Sequence, residues 1–130
     1  MREPGYQERT RAELRKALRW ARRRLCLEGW TVSLAFDAAA ERDNDPDETD
    51  SGSAWVTASS RQAGLKVWMA SCEDNDDDPI YVVFHELAHV ALWPIRMVDK
   101  DYLLKLHWEF LVNLYAKLLY DLWSHEQEAT

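Results

Sequence analysis

Two histidines and a glutamate lie close together in the segment His85-Glu86-Leu87-Ala88-His89. One turn of α-helix contains about 3.6 residues, so a helix over this segment projects His85 and His89 from the same face. Two imidazoles on one helical face can share a Zn²⁺ ion, with Glu86 beside its open coordination position. The segment therefore predicts a hydrolytic metal site. The alternative interpretation is a pair of core histidines that bind nothing.

Catalytic zinc sites usually have three protein ligands, so one more must come from elsewhere in the chain. A third histidine six residues after His89 is excluded, because that position is Ile95. Glu109 and His107 lie about 200° apart around a helix, so only one of them can face the metal. Glu109 is favoured because it shares its face with Asn113, whereas His107 lies among leucines. The other candidates are Asp99, Asp101 and His125.

The helix that carries the two histidines is predicted over residues 79–93. Asp78 is a suitable N-cap, Pro79 suits the first helical position, and the acidic run 73–78 favours the positive end of the helix dipole. Pro94 disfavours the helical conformation of the residue before it, so the helix should end there.

A second long helix, which would carry Glu109, is predicted over residues 99–124. Its apolar residues occur almost all the way round, which is typical of a helix that is packed on two sides. We therefore expect it to be the central and most buried helix of the fold.

An N-terminal helix is predicted over residues 7–28, with Gly29 able to end it. Its apolar positions form one stripe made of Leu14, Leu18, Ala21 and Leu25. One flank carries four arginines that could bind phosphate, namely Arg11, Arg15, Arg19 and Arg22. A solvated face is the preferred interpretation, because the segment has no recognisable nucleic-acid motif.

Between these helices, residues 30–70 are predicted to form a small, twisted, mostly antiparallel sheet of three or four strands. The candidate strands are residues 30–36, 54–58 and 65–70, and residues 59–64 are suited to a hairpin turn. The acidic loop 41–51 does not fit a calcium-binding EF-hand, since Glu48 stands where that loop needs glycine. The pattern as a whole predicts an α+β fold.

The 130 residues are enough for one domain, here taken as residues 1–130, and 47% are hydrophobic. A formal charge of −7 argues against general nucleic-acid binding, although residues 1–27 carry nine Lys/Arg against three Asp/Glu. Cys26 and Cys72 form no CxxC pair and are expected to be free thiols. Neither a signal peptide nor an apolar run of 18 residues is found, so we expect a cytoplasmic protein without a membrane partner.

The motif at residues 85–89, followed by Glu109 on a later helix, resembles the gluzincin arrangement of zinc metallopeptidases. In size the chain is similar to the minimal single-domain zincins of bacteria and their phages, the ImmA/IrrE-like and SprT-like group. The resemblance covers about residues 30–120. Gluzincins usually place an aspartate four residues after the ligand glutamate, to orient the first histidine. Asn113 occupies that position here and can accept a hydrogen bond through its amide oxygen.

The expected chemistry is hydrolysis of peptide bonds by a metal-activated water, with one Zn²⁺ per chain and Glu86 as the general base. By the same resemblance, a peptide or protein substrate would add as a strand to the sheet edge nearest the motif helix. Leu65 and Val67, in the segment 65–70, are the expected edge residues. The oxyanion stabiliser stays open among Tyr81, Tyr102, Tyr115 and Tyr120.

Three hypotheses about function follow from these patterns. The leading hypothesis is a zinc-dependent endopeptidase of narrow specificity, because a domain of this size offers little wall for a deep cleft. The second is a zinc-stabilised regulatory or protein-binding module of zincin fold with little or no turnover. The third is a non-enzymatic helical domain whose histidines are accidental. The first two predict about one zinc ion per chain, whereas the third predicts none.

Overall fold

The computed structural model describes residues 4–37, 50–94 and 102–129. Within these ranges, the side chains of residue 37 and of residues 102–107 are not described. Within these ranges the fold is α+β, with four α-helices and a three-stranded sheet. The elements in chain order are α1 (Arg11–Arg24), β1 (Thr31–Asp37), β2 (Gly52–Thr57), a short 3-10 helix (Ala58–Ser60), β3 (Gln62–Trp68), α2 (Met69–Asp74), α3 (Pro79–Ala91) and α4 (Tyr102–Glu128). Most of the acidic loop, residues 41–49, lies outside the described residues.

Helix α1 lies inside the predicted range and is shorter at both ends. It begins at a capping box, in which the Thr10 side chain accepts from the Glu13 N–H and the Glu13 carboxylate accepts from the Thr10 N–H. The buried face is made of Leu14, Ala17, Leu18 and Ala21. The helix ends at Leu25, so it does not extend to Gly29.

The sheet is mixed, with the strand order β1-β3-β2. The hairpin joins β2 and β3 in antiparallel pairing, whereas β1 pairs parallel to β3. The expectation of a mostly antiparallel sheet therefore applies to only one of the two pairings. The third predicted strand begins earlier than expected and ends before Met69 and Ala70, which belong to the unpredicted helix α2.

Helix α3, and not α4, is the most buried helix of the described structure. Ten of its thirteen residues are buried, and it contacts α1, α4, β2 and β3. Helix α4 instead leaves an apolar face open, where Phe110 is 63% exposed, Leu118 55% and Leu122 46%. The prediction that the last helix is the central one is wrong. Apolar residues on all sides of a helix show only which sides could be packed. In α4, one of these sides is exposed in the described structure.

Asp78 joins three parts of the chain at the start of α3. Its carboxylate caps the helix by accepting from the Ile80 N–H at 3.0 Å. It also accepts from Arg9 at 3.1 and 2.8 Å, and from the Tyr120 hydroxyl at 2.6 Å. The side chain is fully buried. This carboxylate therefore holds the N-terminal segment and α4 against the beginning of α3.

Candidate metal centre

His85 and His89 lie one turn apart on α3, with their ring centroids 5.0 Å from each other. Both are partly buried, and the His89 ring packs 5.8 Å from the ring of Trp108 on α4. Helix α3 is rigidly placed, because most of its other side chains are in the core. The two imidazoles thus open on one side of a well-packed helix.

Glu109 on α4 reaches the two histidines from the neighbouring helix. Its Oε1 atom lies 4.0 Å from His89 Nε2, and one ligand atom from each of the three residues lies within 4.8 Å of the others. The Glu109 side chain is 60% exposed, so the third side of the group faces solvent. Of the described residues, no other three His, Cys, Asp or Glu come together in this way.

The three side chains suit a zinc ion. Ligand atoms of a tetrahedral zinc with bonds of about 2.0–2.1 Å lie about 3.4 Å apart, so the observed spacing of up to 4.8 Å requires the three side chains to move closer together, and Glu109 is exposed enough to do so. Two imidazoles and one carboxylate are a known ligand set for catalytic zinc. The open side leaves room for a water molecule and a substrate oxygen.

The other ligand candidates do not join this group. His125 is exposed on the last turns of α4 and is absent from the cluster. Asp99 and Asp101 lie outside the described residues, as does the side chain of His107. Within the described structure, Glu109 is therefore the residue that brings a third ligand atom to the two histidines.

Asn113 supports the first histidine. Its side chain lies close enough to His85 to affect the pKa of that residue, and it occupies the position where the gluzincin pattern has an aspartate. Burial lowers the pKa of His85, and the neighbouring His89 lowers it further, although Glu109, Asp77 and Asn113 act in the opposite direction. The net effect favours the neutral imidazole, which is the form that binds a metal.

Glu86 lies between α3 and β2, and it lines the same cavity as His85. It is only 8% exposed, and burial raises its pKa to about 8, with further contributions from Asp50 and Glu109. Gly52 lets β2 approach α3 closely at this point. A Cβ atom at Gly52 would lie 2.5 Å from Val82 Cγ1, 2.9 Å from the Lys66 carbonyl oxygen and 3.3 Å from Glu86 Cγ.

A cavity of about 390 Å³ opens beside Glu86, at the beginning of β2. Its polar wall includes Asp50, Ser51, Asn75 and Asp77, and Tyr81 and His85 also line it. The Ser51 hydroxyl donates to Asp77 Oδ2 at 2.6 Å and accepts from Asn75 Nδ2 at 2.9 Å. The sequence indicates only a cap at Asp78 and a favourable interaction of the acidic run 73–78 with the helix dipole, because the contact of Asp77 with Ser51 depends on the tertiary fold.

The expected edge strand is in a different place. Leu65 and Val67 belong to β3, which lies between β1 and β2, and both side chains are fully buried. They are therefore core residues, and the prediction that residues 65–70 form the edge of the sheet is wrong. The described strand next to α3 is β2, and on its side away from β3 no described strand pairs with it.

The four tyrosines also separate. Tyr81 lines the cavity. Tyr120 donates its hydroxyl hydrogen to Asp78, so it belongs to the contact between α4 and the start of α3. Tyr115 contributes to the apolar face of α4, where it lies near Leu25. The side chain of Tyr102 is outside the described residues.

Several N-terminal arginines pack on the protein's own surface. Arg11 and Arg15 lie over the ring of Phe36, at 5.4 and 5.3 Å from its centroid. Arg22 donates to the carbonyl oxygen of Trp30. Arg19 lines a shallow depression together with Arg22. These contacts give three of the four residues a structural role.

No protein-family model matches the chain, and neither a curated protein nor a solved structure is significantly similar to it. Interpretation of the site therefore depends on its own geometry. Within the described ranges, none of the helices is both long and apolar enough to cross a membrane.

Proposed function

We propose that the protein is a zinc-dependent metallopeptidase with His85, His89 and Glu109 as the metal ligands. The observation that carries this proposal is the convergence of three ligand atoms within 4.8 Å, from two helices, next to the buried carboxyl group of Glu86. Three ligands with an open fourth position distinguish catalytic zinc sites from structural ones, which are closed by four protein ligands.

Zinc, when bound, supplies Lewis-acid chemistry by acidifying a water molecule and polarising the carbonyl of the scissile bond. Glu86 accepts a proton from the attacking water and then donates it to the leaving amine. In the metal-free protein burial raises the pKa of Glu86, which helps the carboxyl group to hold the proton between the two steps. Asn113 holds the His85 ring in the orientation that it needs for ligation.

Strand β2 is the segment best placed to bind an extended peptide. It begins at Gly52, directly over Val82 and Glu86 of the motif helix. A peptide that pairs with its outer side would pass over the metal ligands of α3 with its backbone held by sheet hydrogen bonds. This strand takes the role that sequence analysis assigned to residues 65–70.

Two measurements test the proposal. Purified protein should contain about one zinc per chain by elemental analysis, and it should cleave members of a broad peptide library. The Glu86→Gln variant should keep its zinc and lose cleavage by a factor of at least about 100. Glu128→Gln, an exposed change at the end of α4, is the matched control and should leave both properties unchanged.

Protein that binds no zinc would refute the proposed function. Zinc binding without cleavage, in both the wild type and Glu86→Gln, would instead identify a zinc-stabilised binding module.

A further inference from the structure

The cavity beside Glu86 has an acidic wall. Asp50, Asp77 and Glu86 contribute carboxyl groups to it, and its lining includes no lysine or arginine. Among the described residues, the ion pairs of the protein do not involve any of these three acids. Its volume of about 390 Å³ is within the range of roughly 300–1,000 Å³ that is usual for ligand sites.

Glu86 is an independent sign that this space takes a ligand. More than nine-tenths of its surface is buried, it lines the cavity, and the charged groups that act on it are the acids Asp50 and Glu109. A buried carboxyl group without a donor is costly, so a group that enters the cavity with positive charge or N–H donors would be favoured.

A bound zinc ion would not neutralise the wall. Two neutral imidazoles leave the charge of the zinc ion unchanged. Glu109 cancels one of the two positive charges of zinc, and Glu86 can cancel the other. Asp50 and Asp77 then stay uncompensated on the side of the cavity that is lined by β2 and the start of α3.

The arrangement of the acids favours an extended cation over a second metal ion. The oxygens of Asp50, Asp77 and Glu86 do not form a group that could hold one ion, since the described structure has a single such group and it is at His85, His89 and Glu109. A guanidinium or ammonium group on a flexible stem can instead reach separated carboxylates. Asp77 is fixed for such a contact by the Ser51 hydroxyl, which Asn75 holds in turn.

We infer that this cavity binds an arginine or lysine side chain of the peptide substrate, next to the scissile bond. The inference rests on the proposed function for the position of the scissile bond, whereas the preference for a cation rests on the cavity alone. Successive side chains of an extended peptide point in opposite directions, so a strand along β2 would direct alternate residues toward α3. Gly52, which has no side chain, lets this strand approach Val82 and Glu86 of α3 closely.

The test uses the zinc-loaded Glu86→Gln protein, which should bind peptides without cleaving them. This variant leaves one positive charge of the zinc ion uncancelled, but the carboxylates of Asp50 and Asp77, to which the preference is assigned, are unchanged. Capped alanine-based hexapeptides that carry one arginine, one norleucine or one glutamate are titrated by calorimetry at low ionic strength. We expect the arginine peptide to bind at least about 10-fold more tightly than the norleucine peptide, and the glutamate peptide most weakly.

Two charge-matched variants in the same background locate the effect. Asp77→Asn should reduce the preference for arginine over norleucine to about 3-fold or less, because the amide can still accept from Ser51 but has no charge. Asp74→Asn removes the same charge from an exposed position outside the cavity and should leave the preference unchanged. If Asp77→Asn does not fold, Asp50→Asn, at an exposed residue of the same wall, replaces it.

Equal affinity for the arginine and norleucine peptides would overturn the inference, and so would a failure to bind any of them. The results that contradict the proposed function are different from those that contradict this inference. Wild-type protein that binds zinc and cleaves peptides without preferring a basic residue contradicts only the inference. Protein that holds no zinc contradicts the proposed function, while the same titration still reports on the cavity.

Discussion

Replacing Asp78 with alanine should be among the most destabilising single changes in this protein. The substitution leaves Arg9, which is only 15% exposed, with Glu13 as its remaining described ion-pair partner, at 3.5 Å. It also leaves the Tyr120 hydroxyl without its acceptor and removes the cap of α3. Breaking a buried ion pair by removing one partner costs about 3–5 kcal/mol. Because the free energy of unfolding of a small domain is about 5–15 kcal/mol, this loss is a large part of the total stability.

The assay is thermal and urea unfolding of metal-free protein, followed by circular dichroism. The expected cost corresponds to a fall in Tm of roughly 10–20 °C for a chain of this size. Tyr120→Phe, which removes only one hydrogen bond of the joint, should cost about 1 kcal/mol and keeps the series measurable if Asp78→Ala does not fold. Asp121→Ala is the matched control. It breaks an exposed pair with Lys117 in α4 and should cost less than about 0.5 kcal/mol.

A cost for Asp78→Ala no greater than that of Asp121→Ala would refute the reasoning. Neither the cap of α3 nor the links to Arg9 and Tyr120 would then contribute measurably to stability, whereas a cost of about 1 kcal/mol would be that of an ordinary helix cap. If Asp78→Ala lowers the free energy of unfolding and Tyr120→Phe does not, the stabilisation by Asp78 comes from Arg9 and the helix cap alone.

Three further predictions concern the site. Glu109→Ala should weaken zinc binding at least about 100-fold by competition with a chelator, and should lower Tm only when zinc is present. Gly52→Ala should destabilise the protein by about 1–3 kcal/mol in urea unfolding and impair peptide binding, because its new methyl group would meet Val82 at 2.5 Å. Glu86→Gln should stabilise the metal-free protein increasingly as the pH rises. The pKa of Glu86 is raised from 4.5 to about 8 in the folded state, so its contribution to stability is fully present below pH 4.5 and is lost as the pH rises through 8. At about 1.4 kcal/mol for each pH unit between 4.5 and 8, the difference in unfolding free energy should reach roughly 5 kcal/mol above pH 8.

Each of these predictions has its own control or contrary result. If Glu109→Ala leaves the zinc affinity unchanged, one of the other candidate residues is the third ligand. Gly29→Ala is the control for Gly52, because a Cβ at Gly29 would meet nothing closer than Arg61 Nη1 at 3.8 Å. A pH-independent difference between wild type and Glu86→Gln in metal-free protein would show that Glu86 is not buried as a carboxyl group.

The local features of the site were predictable from sequence. The histidine spacing, the cap at Asp78 and the proline at Pro79 all act within one or two turns of the chain, and the structure starts α3 at Pro79. The choice of Glu109 over His107 used the same local geometry, since it compared two positions on one helix. Such inferences need no knowledge of how distant segments meet.

The non-local features were not predictable in the same way. Strand order depends on which strand pairs with β3 on each side, and the alternation within residues 65–70 is compatible with either an edge or a centre. Helix α2 follows β3 without a side-chain cap, so its start has no local signal. The cavity joins Ser51 to Asp77 across 26 residues, and this contact exists only after β2 and α3 have packed together.

Helices α3 and α4 pack together through apolar side chains, and polar groups link them at two separated points, Asp78 with Tyr120 at one end and the histidines with Glu109 at the other. The first connection is made of protein alone, whereas the second would be completed by the metal. Loss of the metal should therefore act on local opening of the backbone more than on the whole fold. In amide hydrogen exchange, the turns of α4 around Glu109 should lose protection on chelation, while those around Tyr120 keep it. Metal content would then set how freely one end of a single helix opens.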